Sequence, residues 1–228
     1  MKVNAPKGEE TFDDAQKALK PSVSPRNFGH VPGTRYPQWL KVCESRFIRS
    51  GNSPMPHPGY ITFHGDPYAL SGSPLPVGSP APDFMLVQFE AGVQRVIDRQ
   101  TLLDAGKPVL LSIITSVDTP VGSLQAKTFD TLLQEFSGRV TALLVSSDLP
   151  FTLNRFREAE HLRCLEGGSD YYGTFGEGYG VRIEEPRILT RAVFVLDQEC
   201  FVRYEQVVDE ITTEPDYAAA IAALAALL

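Results

Sequence analysis

Cysteine is scarce and badly spaced for its usual chemistries. The 228 residues hold three, Cys43, Cys164 and Cys200. An odd number at wide intervals excludes a disulfide framework, and without a Cys-x-x-Cys pair there is neither a zinc ribbon nor a dithiol motif. Long hydrophobic runs are missing too. The longest, Ala218 to Leu228, falls well short of the roughly 20 residues a membrane-spanning helix needs. Met1 to Lys20 has no apolar core of a signal peptide, so the expectation is a cytoplasmic protein that does not engage a membrane. Basic charge is in deficit: Lys+Arg 21 against Asp+Glu 28 gives a net charge of -7, which repels a phosphate backbone and argues against nucleic acid. The four histidines, His30, His57, His64 and His161, never stand four apart, so no metal or cofactor is expected.

Proline, by contrast, is abundant at one end. Pro6, Pro21, Pro25, Pro32, Pro37, Pro54, Pro56 and Pro58 forbid long helices and strands, so residues 1–58 read as an arm and 59–228 as the domain. Within the arm, Trp39, Leu40, Phe47 and Ile48 form an apolar cluster. It either packs on its own domain or a symmetry mate, or serves as a handle for a protein partner.

From Gly59 the pattern becomes short strands and helices. Tyr60-Ile-Thr-Phe and Tyr68-Ala-Leu flank a turn at His64 to Pro67 and read as a hairpin. Phe84 to Val87 and Val96-Ile97 are candidate strands, and the continuous apolar run Pro108 to Ile114 suits a central strand buried on both faces. A helical stripe follows at Val121, Leu124, Phe129, Leu132, Leu133 and Phe136, then a second buried strand at Val140 to Val145, which implies a parallel crossover. A helix near Phe151 to His161 precedes a hairpin, Ala192 to Leu196 and Phe201 to Val207. Thr213-Glu-Pro-Asp216 is spaced as a capping box that opens a last helix buried through Tyr217, Ile221, Leu224 and Leu228. The glycines at 173, 176, 178 and 180 lack the strand and the lysine of a phosphate loop and read as a flexible connection. The fold class is α/β, a thioredoxin-like architecture with an N-terminal β-hairpin and a Pro-rich arm.

Six segments resemble the Tpx-type thiol peroxidases, atypical two-cysteine peroxiredoxins. They are Thr62 to Pro67, Ser116-Val-Asp-Thr119, Ser147 to Phe151 with Arg155-Phe156, Tyr179-Gly-Val181, Arg191-Ala-Val193 and Val208 to Tyr217. The resemblance implies a peroxiredoxin fold and a site built on Pro-x-x-x-Thr-x-x-Cys. There a helix N-terminus and an arginine lower the thiol pKa and a threonine orients the peroxide. Here the stretch reads Thr115-Ser-Val-Asp-Thr119-Pro-Val-Gly122. The resemblance therefore assigns Thr119 and Arg191 to the site, puts Gly122 where the peroxidatic cysteine belongs, and puts Arg157 where the resolving one does.

Ser123 cannot replace the thiolate, since a hydroxyl has no sulfenic acid cycle. The expected function is a catalytically silent homologue, a pseudo-peroxiredoxin acting by binding or assembly, commonly a homodimer in this family. The alternative is a thioredoxin-dependent peroxidase using Cys43 or Cys164. Arg191 and the helix N-terminus would attract a small anion to the emptied pocket, unless Arg191 pairs with an internal carboxylate such as Asp118 or Glu158. Gly122 in a first helical turn is expected to cost about 1 kcal/mol against Ala.

Overall fold

A computed structural model describes residues 59–72 and 75–228. The arm, with Cys43 and the Trp39, Leu40, Phe47, Ile48 cluster, lies outside them. Among the described residues ten strands form: β1 Tyr60–Phe63, β2 Asp66–Ser71, β3 Met85–Glu90, β4 Val93–Asp98, β5 Val109–Ile113, β6 Thr141–Ser146, β7 Glu166–Ser169, β8 Arg182–Ile183, β9 Ala192–Leu196 and β10 Val202–Val207. Five α-helices accompany them: α1 Arg99–Ala105, α2 Pro120–Leu133, α3 Pro150–Ala159, α4 Thr174–Gly178 and α5 Tyr217–Ala225.

Seven strands make one mixed sheet in the order β10-β9-β5-β6-β7-β3-β4, and β1-β2-β8 make a small second sheet. β5, β6 and β7 run parallel, joined by crossovers through α2 and α3, while β9 lies antiparallel to β5 and β3 antiparallel to β7. All five residues of β5 are buried because the strand has neighbours on both edges and a hydrophobic layer on each face. The alternation of side chains along a strand feeds both layers. Val109, Leu111 and Ile113 join Phe194, Phe175 and Tyr179 on one face. Leu110 and Ile114 meet Phe129, Leu133, Leu153, Ala220 and Leu224 on the other. The hairpins at 60–71 and 192–207 and the β5-α2-β6 crossover agree with the sequence pattern.

Three expectations change. The buried stripe of α2 runs through Gly122, Gln125, Ala126, Phe129, Asp130 and Leu133, and Leu124 and Leu132 face solvent at 44% and 37% exposure. The apolar spacing misled here because two polar residues take inward positions with partners of their own. Asp130 accepts the backbone N–H groups of Arg163, Cys164 and Leu165 at 2.9, 2.7 and 3.1 Å, and Gln125 belongs to the site described below. Second, the glycine-rich stretch is packed rather than flexible. Gly173 adopts the left-handed conformation that starts α4, and Asp170 caps the helix by accepting from Phe175 N and Gly176 N at 2.9 and 2.8 Å. Third, α5 is capped by Asp216, whose side chain accepts from Ala219 N. Thr213 donates instead to the Glu210 carbonyl, Pro215 precedes the helix, and Leu228 is exposed.

Candidate functional site

The C-terminal end of β5 leads through residues 114–119 into α2. Thr119 is the N-cap: its Oγ1 donates to the Ser116 carbonyl at 2.8 Å and accepts from Gly122 N at 3.2 Å. Pro120 follows at the first helical position, where its fixed φ suits the turn and no N–H is lost. The preceding loop is tied to β6 by Asp148, whose carboxylate accepts from Ser116 Oγ at 2.9 Å, Val117 N at 2.8 Å and Ser146 Oγ at 2.9 Å.

This closure fills the space above Gly122. A β-carbon there would lie 2.6 Å from Thr119 Oγ1 and closer still to the Ser116 carbonyl oxygen. Glycine is therefore the residue this turn requires, and the expected penalty relative to alanine is reversed, because a backbone carbonyl cannot move aside as a flexible side chain can. The Thr119 hydroxyl has its only proton committed to Ser116 and is no longer a free donor.

Arg191 stands just before β9 and is 1% exposed. Its Nη1 donates to Gln125 Oε1 at 2.6 Å and its Nε to the Ile211 carbonyl at 3.0 Å. Gln125 in turn donates to Ser112 Oγ at 2.9 Å and to the Ile113 carbonyl at 3.2 Å. A buried polar chain thus links three elements through neutral acceptors. The expected pairing of Arg191 with Asp118 or Glu158 does not form: Asp118 meets Arg155 at the surface at 3.8 Å, and Glu158 accepts from Asn154. Burial pulls the Arg191 pKa below its ordinary value, and nearby Tyr217 and Glu214 oppose that shift; the guanidinium keeps its charge.

Thr115, Thr119 and Arg191 line one side of a cavity of about 510 Å³, whose other walls include Phe63, Tyr68, Ile183, Ile188 and Ile211. The β1-β2 hairpin supplies part of the wall and is clamped by Glu210. That carboxylate accepts from Thr62 Oγ1 at 2.8 Å, His64 N and Gly65 N at 3.1 Å each, Thr212 N at 3.2 Å and Thr212 Oγ1 at 2.6 Å. Burial alone would raise its pKa; the hydrogen bonds from Thr212, Thr62, Gly65 and His64 outweigh that and hold it at about 2.

The structure brings Thr119 and Arg191 to one pocket, with Gly122 on the adjoining turn outside its lining, and Arg157 is elsewhere, on α3, donating to the Leu165 carbonyl at 2.7 Å. Cys164 precedes β7 and Cys200 lies in the β9-β10 turn. Cys164 is level with the N-terminal end of β5 and Cys200 lies beyond it, the far end of the sheet from Thr119, and five strand residues span about 16 Å. Burial pushes both thiols up, with Asp130 adding to the effect at Cys164. Sequence reasoning passed over Thr115 as a donor, Gln125, Asp148 and Glu210. Asp148 and Glu210 fell inside segments quoted for their resemblance, yet only the folded contacts give them a task.

A parallel β-α-β core extended by antiparallel strands, with a capped helix N-terminus and a buried arginine facing one pocket, defines a thioredoxin-like protein of the peroxiredoxin kind. The chain belongs to the Redoxin family, which it matches over residues 76–221. It is 42% identical over 168 residues to a thiol peroxidase of Streptococcus sanguinis, covering 73% of this chain and 99% of that protein. A thiol peroxidase of Leptospira interrogans is 39% identical over 174 residues, covering 74% and 98%. Among solved structures, a peroxiredoxin-like protein from Aquifex aeolicus superposes with a TM-score of 0.67 at 31% identity, covering 75% of this chain and 98% of that one. The chain is thus a Tpx-type thiol peroxidase homologue.

Proposed function

We propose that this protein does not turn over hydroperoxides and that its thiol peroxidase fold serves binding. The observation that carries this reading is Gly122 in the first turn of α2, where the chemistry needs a thiolate at the helix N-terminus beside an arginine. Arg157 at the place of the resolving cysteine, and the remoteness of Cys164 and Cys200 from Thr119 and Arg191, support it further. The test is peroxide consumption by the intact protein with thioredoxin and its reductase. Turnover no faster than free thiols is expected; a second-order constant of about 10⁴ M⁻¹s⁻¹ or more overturns the reading.

The opposing reading, a thioredoxin-dependent peroxidase, is favoured by the name its relatives carry. Cys164, at the wrong end of the sheet, cannot meet a peroxide held by Arg191, so that chemistry would run through Cys43. A Cys43→Ser variant that abolishes measured turnover would establish it.

The domain is further proposed to pair as a homodimer. Leu149 and Phe151 at the start of α3 are 54% and 57% exposed, and Leu124 and Leu132 are exposed on α2, an apolar surface flanking the pocket helices. Sedimentation at micromolar concentration giving only a 25.1 kDa species would contradict it. No described helix is long and apolar enough to cross a membrane.

A further inference from the structure

A second cavity, of about 230 Å³, lies at the end of the sheet away from Thr119 and Arg191, where β5, β6 and β7 begin. Its walls are mainly polar and carry six polar side chains: Lys107, Ser137, Thr141, Arg163, Cys164 and Glu166. Lys107 stands two residues before β5 and Arg163 three before β7. β6 runs between those strands, so the two segments are two strand spacings, about 10 Å, apart. Neither cation joins an ion pair among the described residues. Arg139, close by in the chain, is engaged elsewhere: its Nη2 donates to the Glu135 carbonyl at 3.2 Å and its guanidinium lies over the Phe136 ring.

One acidic group shares the cleft. Glu166 Oε2 accepts from Gln88 Nε2 at 3.3 Å, and its Oε1 has no partner among the described residues. Burial pushes the Cys164 thiol up, so it adds no charge at neutral pH. The frame around these groups is held by contacts of its own. Asp130 fixes the backbone of Arg163 and Cys164, and Thr141 N donates to the Pro108 carbonyl at 2.9 Å, tying the segment after Lys107 to β6.

Two cations and one carboxylate are the complement of a molecule with two carboxylates and one ammonium. We propose that this cleft binds a dicarboxylic α-amino acid of the size of glutamate. Lys107 and Arg163 each take a carboxylate, Glu166 Oε1 accepts from the ammonium, and the Ser137 and Thr141 hydroxyls donate to the carboxylate oxygens left over. Each simpler ligand leaves a group unmet. Phosphate satisfies the cations but sets its charge against Glu166. A dicarboxylic acid without the ammonium does the same, and an amino acid with a neutral side chain leaves one cation without a counter-charge. The volume, below the roughly 300–1,000 Å³ of drug-sized sites, suits a free amino acid. No group of the Thr119 and Arg191 pocket takes part, so the proposal is independent of peroxide turnover.

Amide chemical shifts of the isotope-labelled full chain, titrated with glutamate, glutarate, glutamine and inorganic phosphate, test it. Glutarate lacks only the ammonium and glutamine only the second carboxylate. Glutamate should bind about threefold or more tighter than each of the other three, the scale set by partly exposed charge pairs. The largest shifts should fall at residues 137–141 and 163–166, and binding should weaken with added salt. Glu166→Gln should bring glutamate down to the level of glutarate without weakening glutarate, and Lys107→Met and Arg163→Met should each weaken glutamate severalfold. All three side chains are exposed or half-buried, so these variants should melt as the parent does; should one not fold, the four probes on the parent chain decide alone. Glutarate, glutamine or phosphate binding as tightly as glutamate overturns the proposal. So do shifts centred on other residues, no shift with glutamate at all, or glutamate binding untouched by Glu166→Gln.

Discussion

The carbonyl oxygen of Ser116 occupies the space in which a β-carbon on Gly122 would have to sit. The space beside Gly122 is therefore not an open socket. Thr119 closes it by donating to that same carbonyl and accepting from Gly122 N, and Asp148 holds the loop from the other side.

Gly122→Cys should accordingly fail to create a peroxidase by itself. The new side chain gains only about 0.3 kcal/mol of helix propensity over glycine, while overpacking against backbone costs about 1–3 kcal/mol. The expected result is a melting temperature lower by a few degrees, about 2–4 °C per kcal/mol lost for a domain of this size, with peroxide consumption still at the level of free thiols. A variant that melts as the parent does and turns over peroxide would show that the loop yields and that only the sulfur was missing.

Glu210 makes a pH-dependent contribution with a definite sign. Its folded pKa of about 2 lies below the ordinary 4.5, so the stabilisation is fully present above about pH 4.5 and is lost as pH falls toward 2. Denaturant unfolding followed between pH 7 and pH 2 should show that loss. Glu210→Gln should flatten it and lower stability at neutral pH by about 1–2 kcal/mol, near the low end for hydrogen bonds to a charged group because water reaches the carboxylate. The hairpin amides of His64 and Gly65 should then exchange faster. An unchanged pH profile would mean that the clamp contributes nothing.

Element order was legible where side-chain periodicity was undisturbed. Val109 to Ile113 could only be an interior strand, and the hairpin 192–207 joins the continuous apolar run Ala192–Leu196 to the mixed strand Val202–Val207. Reading failed where polar residues turn inward. Gln125 and Asp130 break the apolar stripe of α2, so Leu124 and Leu132 were given an inward place that belongs to them. Asp216 rather than Thr213 caps α5, a choice set by the chain path after Pro215 and not by spacing. At the site, Thr119, Gly122 and Arg191 could be named from resemblance, but what occupies the space beside Gly122 depends on a backbone carbonyl, which no sequence pattern displays. Likewise an internal carboxylate was one of two partners open to Arg191, and it finds Gln125 instead, a partner eligible only once the helix is wound.

Asp130 is the next test of that inward polar set. It satisfies three successive backbone N–H groups at 163, 164 and 165, which lead the chain into β7. Asp130→Ala leaves these donors unpaired beneath α2 and should destabilise the domain by about 2–3 kcal/mol. Asp130→Asn keeps one acceptor oxygen and should lose less. Because the segment contains Cys164, alkylation of that thiol should speed up in the alanine variant, measured by mass spectrometry under native conditions. Equal stability of the parent and the alanine variant would show that water replaces the carboxylate.

The final expectation concerns where folding information ends. Among the described residues, the buried members of both hydrophobic layers of the seven-stranded sheet, and of the small cluster of Ile61, Leu70 and Ile183 under the hairpin, fall within residues 61–224. The first strand begins at Tyr60 and is held at its far end by Thr62, which pairs with Asp209 and Glu210. A chain starting at Gly59 should therefore unfold in one cooperative transition with the midpoint of the full protein, within the roughly ±0.5 kcal/mol expected of changes away from the core. Trp39 provides the readout that separates folding from binding. In the full chain its fluorescence should leave the domain's unfolding midpoint unmarked if the arm serves a partner. If instead Trp39 reports the same transition and removal of residues 1–58 lowers the midpoint, the cluster of Trp39, Leu40, Phe47 and Ile48 belongs to the domain's own core and has no surface left to offer a partner.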